Sequence, residues 1–142
     1  MKIKKLRKNA ILPEYQTEHS AGMDLHACLD APMTIPSMGR AMVPTGIAIE
    51  LPIGFEAQVR ARSGLSIKHG ITMANGIGTV DSDYRGELGV LVVNLSDEPF
   101  TIESGMRIAQ MVIARFEHID WDEVENLSDT KRGTGGYGST GH

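Results

Sequence analysis

Apolar and polar positions alternate along much of the chain. Phe55, Ala57, Val59 and Ala61 are separated by Glu56, Gln58 and Arg60. That period of two predicts a strand with one buried face. Ile47, Ile49 and Leu51 repeat the pattern. Residues 88–95 read Leu-Gly-Val-Leu-Val-Val-Asn-Leu, a run that predicts a strand buried on both faces. Residues 108–116 are similar, with Gln110 and Arg115 as polar interruptions, and residues 21–25 form a small polar entry to another strand. No stretch carries a long period of 3.6 residues with caps. At most one helical turn fits, after Ser63-Gly64, around Leu65 to His69. Many short strands broken by Gly and Pro predict an all-β fold, a jelly-roll-like distorted β-barrel with at most one short helix.

The two ends differ from this pattern. Residues 1–8 are basic and no apolar run follows them, so a solvated edge strand guarded by lysines is expected there rather than a signal peptide. Residues 117–129 turn acidic, with Trp121 and Val124 as candidate anchors to a surface. The last stretch, Arg132-Gly133-Thr134-Gly135-Gly136-Tyr137-Gly138-Ser139-Thr140-Gly141-His142, is rich in glycine and flexible in isolation. The expected division is a β domain over residues 1–128 and a glycine-rich arm over residues 129–142.

At 142 residues the chain has the length of one domain, and its 41% hydrophobic and 23% charged residues are ordinary for a globular protein. The formal charge of -4 disfavours a nucleic-acid polymer as partner, though a single nucleotide needs only a local set of donors. No run approaches the length of a membrane span. The one cysteine, Cys28, cannot form an internal disulfide and reads as a small buried apolar residue. These features favour a cytoplasmic protein. The five histidines show no ligand spacing with Cys28 or with one another, which argues against a zinc site, and the G-x-S-x-G elbow of a serine hydrolase is missing.

Five short segments carry candidate chemistry. Gly133, Gly135 and Gly138 match G-x-G-x-x-G, but a dinucleotide site needs a strand before and a helix after, and the match is accidental. Such a tail can still turn several N–H groups toward phosphate oxygens, with Arg132 forked onto a phosphate and Tyr137 covering a base. Residues 78–87 place polar side chains between two apolar strands; a plain hairpin turn and a functional loop are about equally good readings. Arg62-Ser63-Gly64 reads as a helix cap or as an anion site. Ala21 to Leu25 and Arg107 to Met111 are unremarkable alone.

In order, however, AGMDL at 21–25, RSGLSIKHG at 62–70, NGIGTVDSDYRGEL at 75–88, RIAQM at 107–111 and RGTGGYGSTG at 132–141 resemble the five ordered motifs of the trimeric dUTP diphosphatase family. VDSDYRG is the most specific of them. The resemblance implies Mg²⁺-dependent cleavage of dUTP to dUMP and pyrophosphate by a homotrimer with shared sites. That reaction keeps uracil out of DNA and supplies dUMP for dTMP synthesis. It also implies roles. Asp81 is the general base that activates the attacking water. Asn75, with the backbone of Thr79, Val80 and Asp81, reads uracil inside a hairpin, and Tyr84 sits against the deoxyribose. Arg62, Ser63, Gly64 and Gln110 hold phosphates. Arg132 reaches the γ-phosphate and Tyr137 stacks over the base. Asp24 touches the metal only through water.

The chain departs from the family at Tyr137, where phenylalanine is commoner, and at Thr79, where an aliphatic residue is usual. Gly89 offers only main-chain contact. Two rivals share the scaffold: a dCTP deaminase, which needs another base-reading segment and a glutamate at C4, and a non-catalytic nucleotide-binding protein, which predicts a lost base or phosphate ligand. A bare structural jelly roll leaves the polar 78–87 segment unexplained.

Overall fold

The structure, a computed structural model, describes residues 1–136. Twelve strands and one helix follow in chain order. They are β1 (Lys2–Lys5), β2 (Glu14–Tyr15), β3 (Met23–His26), β4 (Met33–Ile35), β5 (Arg40–Pro44), β6 (Ile47–Glu50) and β7 (Phe55–Arg60). After α1 (Ser63–His69) come β8 (Ile71–Met73), β9 (Gly78–Val80), β10 (Gly89–Asn94), β11 (Phe100–Ile102) and β12 (Arg107–Arg115). The fold is all-β and jelly-roll-like with one short helix, as the periodicity implied. Its ladders do not close into one barrel. Among the described residues they form a five-stranded sheet, β2-β3-β12-β7-β9, a three-stranded sheet, β5-β10-β8, and the pairs β1-β6 and β4-β11.

One core lies between these layers, filled by Leu25, Val43, Ile47, Ile71, Val90, Val92, Ile102 and Met111. Burial of each such side chain contributes about 1.5–3 kcal/mol. Asn94 is fully buried at the end of β10 and has its polar atoms satisfied. Its Nδ2 donates to the Ile35 and Glu98 carbonyls, and its Oδ1 accepts from the Ser96 N–H and hydroxyl. Cys28 is buried, with Gly46 closed over it: a Cβ at Gly46 would meet its Sγ at 2.7 Å.

Two expectations change. The 88–95 run is not buried on both faces. In β10, Val90, Val92 and Asn94 point inward while Leu91 stays 38% exposed. The alternation was hidden because the outward face is also apolar; Leu91 there stands opposite Met42 of β5. Nor is the expected hairpin, at 78–87 or around Asn75 to Asp81, closed by strands that pair with each other: neither β8 and β9 nor β9 and β10 do. β8 pairs with β10 and β9 with β7, so the turn between them crosses from one sheet to the other. The helix is longer than one turn and starts at Ser63, with Gly70 closing it in the left-handed conformation at φ 66°. β1 is the exposed lysine-bearing strand expected, paired with β6. After β12, residues 117–134 are exposed and contain neither helix nor strand.

Candidate nucleotide site

A cleft of about 250 Å³ opens where the two sheets part. Asn75, Thr79, Val80, Asp81, Tyr84 and Gly89, six of the sequence-predicted positions, border it together with Gly78, which was not predicted. The sheet crossing explains why. β8 and β9 are both edge strands of their sheets. An edge strand presents unpaired N–H and C=O groups. The cleft therefore has a backbone donor and acceptor array along one wall and the apolar side chains of Leu25, Val59 and Val90 behind it. A flat heterocycle with a polar edge matches those walls. Gly78 admits the Asn75 amide, since a Cβ at Gly78 would lie 3.3 Å from Asn75 Nδ2. At the rim, the Tyr84 hydroxyl donates to the Glu87 carbonyl at 3.0 Å, and the Tyr84 N–H donates to the Asp81 carbonyl at 3.2 Å. Asp81 is exposed at the mouth.

A second cluster forms around Asp24, the chain neighbour of Leu25 in the cleft wall. Asp24 on β3 is buried, and its two carboxylate oxygens accept from Arg62 Nε at 2.9 Å and Arg107 Nη1 at 3.2 Å. Arg62 also donates to the Arg107 carbonyl. Gln110 stands opposite Asp24 in the β3–β12 ladder, and its Nε2 donates to the Ala61 carbonyl at 3.0 Å. Ser63 and Gly64 are exposed in the first turn of α1, where N–H groups have no helical partner. A guanidinium, a hydroxyl, an amide and free N–H groups make an anion cradle. Beside it, burial holds the His26 imidazole below its ordinary pKa of 6.5; Asp24 and Glu14 oppose the shift, while Arg107 and Arg62 reinforce it. The His26 Nδ1 is buried without a hydrogen-bond partner.

Within one chain the second cluster adjoins the cleft without bordering it. Val80 stands opposite Ala57 and Gln110 opposite Arg60. Val59 lines the cleft, and Arg62 follows it by three residues, just past the end of β7. Arg62, Ser63, Gly64 and Gln110 do not border the cleft, and neither does Arg132. Arg132 Nε instead donates to the Gly135 carbonyl within a turn of its own. Tyr137 lies outside the described residues. Sequence reasoning missed Arg107, which opens the same short segment as Gln110, and it missed the bridging of two arginines by Asp24. It also passed over Gly22, where a Cβ would stand 2.7 Å from Gln110 Oε1. Nothing in a linear pattern announces a contact between β3 and β12.

Among the described residues, no group of three or more His, Cys, Asp and Glu side chains converges as a metal site. Asp24 already has guanidinium partners on both oxygens. The donor set fits a cation that arrives on a polyphosphate with its waters, not one caged by protein carboxylates. No helix among the described residues is long and apolar enough to cross a membrane.

The comparisons agree with this geometry. A model of the dUTPase family matches residues 8–141. Deoxyuridine 5'-triphosphate nucleotidohydrolase of Rickettsia conorii is 59% identical over 142 residues, covering 99% of this chain and 96% of the relative. The Rickettsia akari protein of the same name is 57% identical at the same coverage. Staphylococcus bacteriophage 80alpha dUTPase, solved with dUPNHPP, superposes with a TM-score of 0.90 at 27% identity, covering 99% of this chain and 98% of the other. The dUTPase of phage phi11 of S. aureus shares the fold, with a TM-score of 0.81 at 22% identity, covering 91% and 98%. A match over nearly the whole chain places the chain in the dUTPase family.

Proposed function

We infer that the chain is a dUTP diphosphatase that hydrolyses dUTP at the α–β phosphoanhydride, giving dUMP and pyrophosphate. The family and the relatives support the reaction. The observation that carries the residue roles is the cleft between the free edges of β8 and β9, with Asp81 and Tyr84 at its mouth. Uracil enters the cleft edge-on and is read by Asn75 and the backbone of Thr79, Val80 and Asp81. Cytosine offers the opposite donor pattern there and leaves buried groups unpaired. Tyr84 covers the deoxyribose and leaves no room for a 2′-hydroxyl. Gly89 contributes main chain only.

Asp81 takes the proton from a water as that water's oxygen bonds to the α-phosphorus. The bond to the bridging oxygen breaks, and pyrophosphate departs with its electron pair. Phosphoryl chemistry of this kind needs positioning and charge neutralisation more than covalent help. Arg62, Ser63, Gly64 and Gln110 hold the phosphates. Asp24 would help hold a divalent cation such as Mg²⁺ through water, and that cation would supply charge neutralisation.

That Arg62, Ser63, Gly64 and Gln110 do not border the cleft of their own chain supports a homotrimer in which one subunit's cleft faces another subunit's phosphate residues. The exposed 117–134 stretch, with Trp121 at 89% and Leu127 at 88% exposure, supports an arm that docks on a neighbour. From residue 129 onward that arm brings Arg132 to the γ-phosphate and Tyr137 over the base. A cytoplasmic location and the lack of a nucleic-acid or membrane partner fit the acidic balance and the single buried cysteine.

The test is product analysis. Purified protein with Mg²⁺ is given dUTP, dTTP, dCTP or UTP, and the products are resolved by anion exchange. Consumption of dUTP alone, to dUMP and pyrophosphate, is expected. Ammonia release from dCTP would replace this reading with the deaminase.

A further inference from the structure

β9 ends at Val80 and β10 begins at Gly89, so the loop that carries Asp81 and Tyr84 has no sheet ladder of its own. Its shape depends on local bonds. Arg85 Nη1 donates to the Ser82 carbonyl at 2.7 Å and to the Tyr84 carbonyl at 2.9 Å. Glu87 anchors the far end, its Oε1 accepting from the Gly46 N–H at 2.8 Å. Gly86 lets the chain fold back over the phenol, because a Cβ there would collide with the Tyr84 ring. Among the described residues, Arg85 is the side chain that ties the 81–84 turn to itself.

We propose that Arg85 is a positioning residue: by clamping the Ser82 and Tyr84 carbonyls it fixes the Tyr84 ring against the sugar position, and so sets the discrimination of dUTP from UTP. The inference rests on the reading of Tyr84 given above. A guanidinium that donates twice to neutral carbonyls makes charge-assisted bonds of defined direction. Arg85 is exposed, so these bonds contribute little to global stability. What they fix is the ring and the carboxylate on either side, where small misplacements have large kinetic effects.

The experiment compares kcat/KM for dUTP and for UTP in the parent, Arg85→Gln and Arg85→Lys proteins, with thermal denaturation of each. In Arg85→Gln the dUTP-to-UTP ratio is expected to fall by roughly tenfold or more while the melting temperature barely moves. Lys can still donate to both carbonyls with one nitrogen, so Arg85→Lys is expected to recover most of the ratio. An unchanged ratio in Arg85→Gln overturns the proposal, even if both rates fall together. A Lys variant as impaired in the ratio as the Gln variant also overturns it. If the parent itself does not distinguish dUTP from UTP, the reading of Tyr84 fails instead, which separates the two failures.

Discussion

At the scale of single residues, the surroundings of the site groups fit the roles proposed for them. Asp81 stands exposed at the mouth of an otherwise apolar-backed cleft, where a water can reach it. Asp81→Asn removes the proton acceptor and keeps the shape. Turnover is expected to fall by roughly 10²–10⁴, while dUTP binding measured by calorimetry stays within a few-fold. Gly22 leaves space for the Gln110 amide, and Gly22→Ala puts a methyl 2.7 Å from its Oε1. That oxygen ends a flexible side chain, so the amide should swing aside at a stability cost under ~1 kcal/mol. KM for dUTP should rise several-fold with kcat less changed. His26 has its folded-state pKa held below 6.5 by burial. The unfolded chain then binds more protons than the folded one just below that value, so stability rises with pH through the window and is lost as pH falls below about 6.5. Urea denaturation between pH 5 and 7 should show this slope, and His26→Asn should flatten it.

At the scale of elements, the strands were legible because side-chain alternation is local. The predicted strand at 55–61 became β7, with Ala57 and Val59 buried. The lysines of β1 and the short helix after Arg62 were also foreseen. Strand partners were not legible, because pairing is a long-range property. Hence the expected hairpin proved to be two edge strands of different sheets. The same limit hid the junction of β3, β12 and α1, which one carboxylate closes. Asp24→Asn should loosen Arg62 and Arg107 together and raise KM. It should also cost ~2 kcal/mol, less than the ~3–5 of a fully buried pair, since the Arg107 side chain is 46% exposed. Thermal denaturation and steady-state kinetics on the same variant check both parts.

At the scale of the molecule, the proposed phosphate residues stand outside the cleft of their own chain, and this, with the exposed arm, supports the proposal that catalysis belongs to the assembly. Deleting residues 132–142 should leave the light-scattering mass at three times that of the shortened chain, which is lighter than the 15.4 kDa parent. Turnover should fall by roughly 10²–10³, the cost of losing a phosphate donor at the transition state. A truncated protein with full activity would remove the arm from the mechanism. By itself the sequence determined the strand-rich class, the short helix, the guarded first strand and the ordered motifs. Each of these is written in local periodicity or in residue types at short spacing. Only the tertiary structure decided that β8 and β9 stand at the edges of different sheets, that Asp24 bridges two arginines, and that Arg62 and Gln110 stay outside the cleft of their own chain. Those facts depend on which distant strands share hydrogen bonds, and no local pattern along a chain encodes that choice.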